Sequence, residues 1–114
     1  MITIYHKSNC STSIKVLDTL KKSGKKYKII EYIKTPPNAE ELSSIIEKLG
    51  IPAEELLRKK EPIFKEKYSH KKLNEKLCIQ MMVENPVLIE RPILIKRTRA
   101  IIGRPIEIVE KFIK

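Results

Sequence analysis

In the first part of the chain, the spacing of hydrophobic residues changes from that of a strand to that of a helix and back again. Ile2 to His6 is β-branched and alternating, which predicts a strand, and Tyr27 to Ile33 predicts another. Between them, apolar residues recur at helical spacing from Ser13 to Ser23, and Gly24 follows as a helix end. Strand, helix and strand in this order predict a right-handed βαβ unit with parallel strands. The apolar positions of the helix are Ile14, Val16, Leu17 and Leu20.

Helical patterns dominate the middle of the chain, after a break at Pro36-Pro37. Asn38 and Glu41 have the spacing of a capping box, so we expect a helix that begins there and ends at Gly50. Asn85-Pro86 ends the last helix of this stretch. Between these points the sequence predicts a short helix over Ala53–Leu57, an irregular charged segment over Lys59–Lys67, and a helix of about residues 71–84 capped by Ser69.

Two short apolar strands follow, Pro92–Lys96 and Arg99–Ile102. The connection at Arg97-Thr98 is so short that the strands must form an antiparallel hairpin. Pro105 then fits the first turn of a last helix. This order predicts an α/β fold of thioredoxin-like layout, in which a βαβ unit and a ββα unit share a four-stranded mixed sheet. We expect a single domain over residues 1–114 with a helical insertion over about residues 38–86.

Composition and charge narrow the class of protein. The chain has 114 residues, 41% hydrophobic and 33% charged, and no apolar run approaches the ~18 residues of a spanning helix. The N-terminus lacks a signal-peptide pattern, so we expect a cytoplasmic monomer that does not contact membranes. The net charge of +10 attracts anions, but aromatic residues are too scarce for a nucleic-acid partner. Two Cys and two His lack the spacing of metal ligands, so we expect no metal.

Cys10 lies at the junction between the first predicted strand and the first predicted helix. A thiol at such a junction meets unpaired backbone N–H groups and the positive end of the helix dipole, and both favour the thiolate. A protonated His6 nearby would act in the same direction. Because the thiolate is the nucleophilic form, we predict that Cys10 carries the chemistry. Ser13 stands where a CxxC motif would have its second thiol.

Two arginines fall at one edge of the predicted sheet. Arg91 precedes one hairpin strand and Arg104 follows the other, so antiparallel pairing brings these two ends together. Cys10 joins them if the first strand also lies antiparallel to Pro92–Lys96. Arginine binds a tetrahedral oxyanion with a planar fork, which makes this edge a candidate anion site. The alternative for Arg91 is a solvated strand end. The alternatives for Arg104 are an ion pair with Glu107 and a helix cap without a bound phosphate.

Several segments resemble the ArsC-type arsenate reductases that use glutathione and glutaredoxin. They occur in family order and with family spacing over nearly the whole chain. The resemblance implies a thioredoxin-like core with an inserted helical region, and a cis peptide bond before Pro92. The matching segments are Ile2–His6, Cys10–Ser13, Tyr32 with Pro36-Pro37, Glu41-Leu42, Leu49–Ile51, Leu56–Lys59, Asn85–Ile93 and Gly103–Pro105.

The resemblance also implies roles for individual residues. Cys10 would attack arsenate, and His6 would help to lower the pKa of its thiol. Glutathione, as co-substrate, would attack the adduct, and glutaredoxin would resolve the mixed species and release arsenite, without a bound cofactor. The residues that would bind the oxyanion are Arg58, Arg91 and Arg104, with Ser11, Thr12 and Ser13 in the anion-binding loop.

Two other functions stay open on the sequence. Spx-type regulators share the fold and bind RNA polymerase, but they typically carry CxxC where this chain has Cys10 to Ser13. A thiol-dependent reductase of another oxyanion, or of a glutathione adduct, would use the same residues. The missing second thiol and the three arginines favour the arsenate reductase among these functions.

Overall fold

The computed structural model describes residues 1–69 and 71–114. The chain divides into two compact units, the first formed by Met1–Thr35 with Arg91–Lys114 and the second by Pro36–Glu90. The helical insertion predicted over about residues 38–86 falls within the second unit. In chain order the elements are β1 (Ile2–His6), α1 (Ser11–Ser23), β2 (Tyr27–Glu31), α2 (Ala39–Leu49), α3 (Ala53–Leu56), α4 (Pro62–Lys67), α5 (Glu75–Glu84), β3 (Ile93–Lys96), β4 (Arg99–Ile102) and α6 (Ile106–Phe112), with a 3₁₀ turn over Pro86–Leu88.

The first unit contains a four-stranded mixed sheet in the order β2-β1-β3-β4. Strand β1 is parallel to β2 and antiparallel to β3, and β3 and β4 form the predicted antiparallel hairpin. This is the thioredoxin-like α/β arrangement, and the prediction is confirmed. In the register, Tyr5 pairs with Ile93 and Ile93 pairs with Ile102. The end of β1, the start of β3 and the end of β4 therefore meet at one edge of the sheet.

Helix α1 packs on the sheet through three of its four predicted apolar positions, Val16, Leu17 and Leu20, but not through Ile14. The helix begins at Ser11, two residues earlier than the apolar pattern indicated, and ends at Gly24 in the left-handed conformation. Its buried residues are Ser13, Val16 and Leu20, whereas Ile14 is 50% exposed. Ile14 lies about 100° around the helix from Ser13, so it turns away from the sheet. The core of this unit consists of Ile2, Ile4, Val16, Leu20, Leu94, Val109, Phe112 and Ile113.

The second unit opens with the predicted capping box. The side chain of Asn38 accepts from the Glu41 N–H at 2.8 Å, and the Glu41 carboxylate accepts from the Asn38 N–H at 3.0 Å. These bonds satisfy two donors that the start of a helix leaves open, so α2 begins where its sequence requires. Gly50 ends α2 with a φ of 69°, which glycine adopts without strain.

Two predictions for the second unit were wrong. The segment expected to be irregular contains α4, with Pro62 in its first turn and Phe64 buried. Helix α5 begins at Glu75, and its cap is Asn74, whose side chain accepts from the Leu77 N–H at 2.8 Å. Ser69 instead donates to a backbone carbonyl of the preceding helix. None of the helices in residues 1–69 and 71–114 is long and apolar enough to span a membrane.

Candidate active site

Cys10 occupies the position immediately before α1, at the edge of the sheet where β1 ends. Its backbone is extended, its N–H donates to the Lys7 carbonyl at 3.1 Å, and its own carbonyl accepts from the Ile14 N–H at 3.0 Å. A turn thus leads the chain out of β1, and the first turn of α1 follows directly. The thiol is partly exposed at the point where first-turn N–H groups have no partner within the helix.

The surroundings of Cys10 lower the pKa of its thiol. Burial acts in the opposite direction and raises this pKa, but hydrogen bonds and charge outweigh it. The backbone N–H of Ser13 is the largest favourable contribution, followed by the hydrogen bond and charge of Arg91 and by the backbone N–H of Thr12. The thiolate is therefore stabilised by the helix start and by a cation from another segment.

Arg104 brings a second cation to the thiol. Its Nη2 lies 3.7 Å from the Sγ of Cys10, and its Nε donates to the backbone carbonyl of Arg91 at 2.9 Å. Arg91 is buried, whereas Arg104 is half-buried. The edge predicted from the strand directions thus brings Cys10, Arg91 and Arg104 together within the first unit.

Proline follows each of these arginines, and both peptide bonds are cis. The cis bond before Pro92 was expected, and the bond between Arg104 and Pro105 is cis as well. The N–H of Gly103 donates to the Pro92 carbonyl at 2.7 Å. A Cβ at Gly103 would lie 2.8 Å from Pro92 Cγ and 3.1 Å from Leu94 Cδ1, so only glycine fits without a shift. The two arginine segments are joined at this close contact.

His6 contacts the helix start through Ser13. Its Nδ1 lies 2.6 Å from the Ser13 Oγ, which also accepts from the Lys7 N–H at 3.2 Å. Burial lowers the pKa of His6, with Glu31 raising it and Lys21 lowering it, so the ring is neutral at pH 7. His6 therefore supports the loop as a neutral hydrogen-bonding partner of Ser13, the residue whose N–H acts on the thiol.

The three hydroxyl residues of the predicted anion-binding loop differ in exposure. Ser11 is exposed, Thr12 is half-buried and Ser13 is fully buried. The Ser13 hydroxyl is engaged by His6 and Lys7, so Ser13 can serve an anion through its N–H but not through its hydroxyl. The apolar pattern missed this inward position because serine carries no hydrophobic signal.

Arg58 lies in the second unit, where two carboxylates hold it. Its Nε bonds to Glu61 at 3.2 Å, and its Nη1 bonds to Glu90 at 2.5 Å. Burial lowers the pKa of Arg58, but the bonds and charges of Glu90 and Glu61 outweigh it and raise this pKa. The Arg58 side chain is 9% exposed, and the two carboxylates orient its guanidinium from two sides. Its predicted role in oxyanion binding stays a prediction.

Cys78 has the opposite environment from Cys10. It is 1% exposed on α5, and burial, together with the charges of Glu54 and Glu75, raises the pKa of its thiol. A buried thiol with a raised pKa packs rather than reacts. Within residues 1–69 and 71–114, no three His, Cys, Asp or Glu side chains are grouped as metal ligands.

The chain is similar in sequence and in fold to proteins of one family. The profile of the ArsC family matches residues 5–112. The chain is 40% identical to the uncharacterized protein YfgD of Escherichia coli K12 over 98% of this chain and 96% of that one. It is 38% identical to an arsenate reductase of the same organism, over 95% of this chain and 77% of that one. The structure of an arsenate reductase from Vibrio cholerae superposes with a TM-score of 0.90 at 35% identity, over 96% and 95% of the two chains.

Proposed function

Because the chain belongs to the ArsC family, we propose that it is an oxidoreductase that reduces arsenate to arsenite. The observation that carries this proposal is the thiol of Cys10, whose pKa is lowered at a helix start and which lies 3.7 Å from the guanidinium of Arg104. A nucleophile and a cationic oxyanion site occupy the same edge of the sheet. Relatives that are 33% to 38% identical are arsenate reductases.

The reaction needs two thiols. The Cys10 thiolate attacks arsenic, forming a sulfur–arsenic bond, and one arsenate oxygen takes up protons and leaves as water. Glutathione supplies the second thiol and attacks the adduct, and arsenic then takes up two electrons as the two sulfurs become a disulfide. Arsenite leaves as this disulfide forms, and glutaredoxin then reduces the disulfide with its own thiol and regenerates the free Cys10 thiol. With this co-substrate and partner, the proposed location of the protein is the reducing cytoplasm.

Arg91 and Arg104 make the first step possible. A thiolate and an arsenate anion repel each other, and cations held beside them offset this repulsion and stabilise the charge that develops during attack. Arg58 is proposed as the third arginine of the oxyanion site. The backbone N–H groups of Thr12 and Ser13 complete it from the helix start.

A coupled assay tests the proposal. Arsenate-dependent oxidation of NADPH is measured with glutathione, glutathione reductase and glutaredoxin for the wild type, Cys10→Ser and the matched variant Cys78→Ala. We expect turnover in the wild type and in Cys78→Ala, and none in Cys10→Ser. Turnover that persists in Cys10→Ser would show that Cys10 is not the nucleophile.

No arsenate-dependent turnover in a folded wild-type protein would overturn the proposal itself. The thiol-dependent reductase of another oxyanion or of a glutathione adduct would then be tested with those substrates. Capture of RNA polymerase by the wild type would support the Spx-type regulator instead.

A further inference from the structure

A cleft of about 200 Å³ lies beside the active loop, entirely within the first unit. The loop that follows β1 forms one wall, and the end of β2 with the turn after it forms the other. Lys7 and Asn9 contribute from the loop, Glu31 and Lys34 from the opposite wall, and His6 lines the cleft between them. Asn9 immediately precedes Cys10 in the chain, so the cleft borders the loop that leads to the reactive thiol.

His6 is the buried polar group of this cleft. The residue is 6% exposed, and its Nδ1 is engaged by Ser13. Among residues 1–69 and 71–114, no side chain or backbone group hydrogen-bonds to the other ring nitrogen, Nε2. Nε2 is not enclosed by the protein, so a polar group of a ligand in the cleft can hydrogen-bond to it.

The charged groups around the cleft are of both signs. Lys7 Nζ donates to the Asn9 side chain at 2.7 Å, and Lys34 Nζ lies 3.5 Å from the Glu31 carboxylate. Two ammonium groups and one carboxylate complement a ligand that carries a carboxylate and an ammonium close together. This combination is the α-amino-acid group, and glutathione carries it at its γ-glutamyl end.

We propose that this cleft is the subsite for the α-amino-carboxylate end of the thiol co-substrate. Lys7 and Lys34 bind its carboxylate. Glu31 binds its ammonium, and His6 Nε2 hydrogen-bonds to that ammonium. The cysteinyl sulfur of the co-substrate is then directed to the Cys10 side of the loop. The inference rests on the proposed function, in which glutathione attacks at Cys10.

The test uses no arsenate, so its result does not depend on the reductase activity. The Cys10 thiolate attacks one sulfur of glutathione disulfide, the Cys10–glutathione disulfide forms, and the released glutathione thiolate takes a proton from water. The rate is followed by mass spectrometry of the intact protein. Hydroxyethyl disulfide, which lacks the amino-acid group, is the reference oxidant because it reports the intrinsic reactivity of Cys10.

The measured quantity is the ratio of the rate with glutathione disulfide to the rate with hydroxyethyl disulfide. We expect Lys34→Gln to lower this ratio by about two- to fivefold, the effect of losing one charged contact at an exposed site. Lys22→Gln removes the same charge at the opposite end of α1 and is expected to leave the ratio unchanged. A ratio that is equal in Lys34→Gln and Lys22→Gln would overturn the subsite.

The ammonium contact has its own test. N-acetylated glutathione disulfide lacks the positive charge, so the wild type should react with it about three- to tenfold more slowly than with glutathione disulfide. Glu31→Gln should not distinguish the two disulfides. If acetylation slowed Glu31→Gln as much as the wild type, the assignment of Glu31 would be wrong.

Discussion

Arg104 is anchored on Arg91: its Nε donates to the Arg91 backbone carbonyl at 2.9 Å while its Nη2 reaches towards Cys10. One guanidinium thus joins the segment after β4 to the segment before β3. Nε acts as the anchor and Nη2 faces the sulfur, so the planar fork of arginine is used at both ends. A positive charge at residue 104 is therefore not sufficient, and the site needs the arginine side chain itself.

Arg104→Lys keeps the charge but removes the fork. Lysine cannot hold the Arg91 carbonyl and face Cys10 at once, so we expect kcat/KM for arsenate to fall by about 10- to 100-fold, the range for losing a charge-assisted hydrogen bond in a transition state. Arg97→Lys, in the exposed hairpin turn, is the control and should retain activity. Equal losses in both variants would contradict the anchor.

Arg91→Ala removes the cation that acts most strongly on the Cys10 pKa. We expect it to weaken arsenate turnover far more than Arg97→Ala, because Arg91 hydrogen-bonds to the thiol whereas Arg97 is exposed in the hairpin turn. Steady-state kinetics of both variants in the coupled assay check this. Similar kinetics for the two would mean that the oxyanion site lies elsewhere.

The Cys10 thiol should titrate below the value of a free cysteine, about 8.5. Alkylation by iodoacetamide as a function of pH measures this in Cys78→Ala, where Cys10 is the single thiol. In denaturant the midpoint should return to the ordinary value, because the helix start and the arginines are lost. A native midpoint at or above 8.5 would refute the stabilisation of the thiolate.

Ser13→Ala deletes the hydroxyl that joins His6 to the Lys7 N–H. The hydroxyl is buried, so we expect the free energy of unfolding to fall by about 1–3 kcal/mol. Ser11→Ala, at an exposed position, should change it by less than about 0.5 kcal/mol. Urea unfolding of both variants provides the comparison, and a loss of similar size in Ser11→Ala would argue against the buried contact.

His6 should make stability depend on pH. Burial lowers its pKa below the unfolded value of 6.5, so the unfolded state binds the proton more readily. The stabilisation from neutral His6 is present above pH 6.5 and is lost as the pH falls through the folded pKa. The difference in unfolding free energy between wild type and His6→Gln should therefore shrink from pH 7.5 to pH 5. A constant difference would contradict a neutral, buried His6.

The local features of this fold could be predicted from the sequence. Strand β1, the end of α1 at Gly24 and the Asn38–Glu41 capping box each depend on neighbours within a few residues, and all were correct. The antiparallel hairpin followed from the shortness of its turn. The directions of the two hairpin strands and of β1 were enough to place Cys10, Arg91 and Arg104 at one edge of the sheet.

The other features depend on contacts that no short pattern contains. Arg58 bonds to Glu90, 32 positions later in the chain, and nothing near either residue indicates this pair. The inward position of Ser13 arises because α1 starts at Ser11, and polar residues give no signal for that start. The cleft beside Cys10 needs the end of β2 to face the loop after β1, which only the folded chain shows.

Gly103 has only a hydrogen atom in place of a side chain, and this sets how closely the two arginine segments of the site approach each other. Pro92 lies close to where a Cβ of residue 103 would be. Arg91 immediately precedes Pro92 in the chain, and Arg104 immediately follows Gly103. A single added carbon would push the two segments apart and widen the spacing of their guanidinium groups. A substitution at residue 103 would therefore disturb both arginines at once, although it changes neither of them.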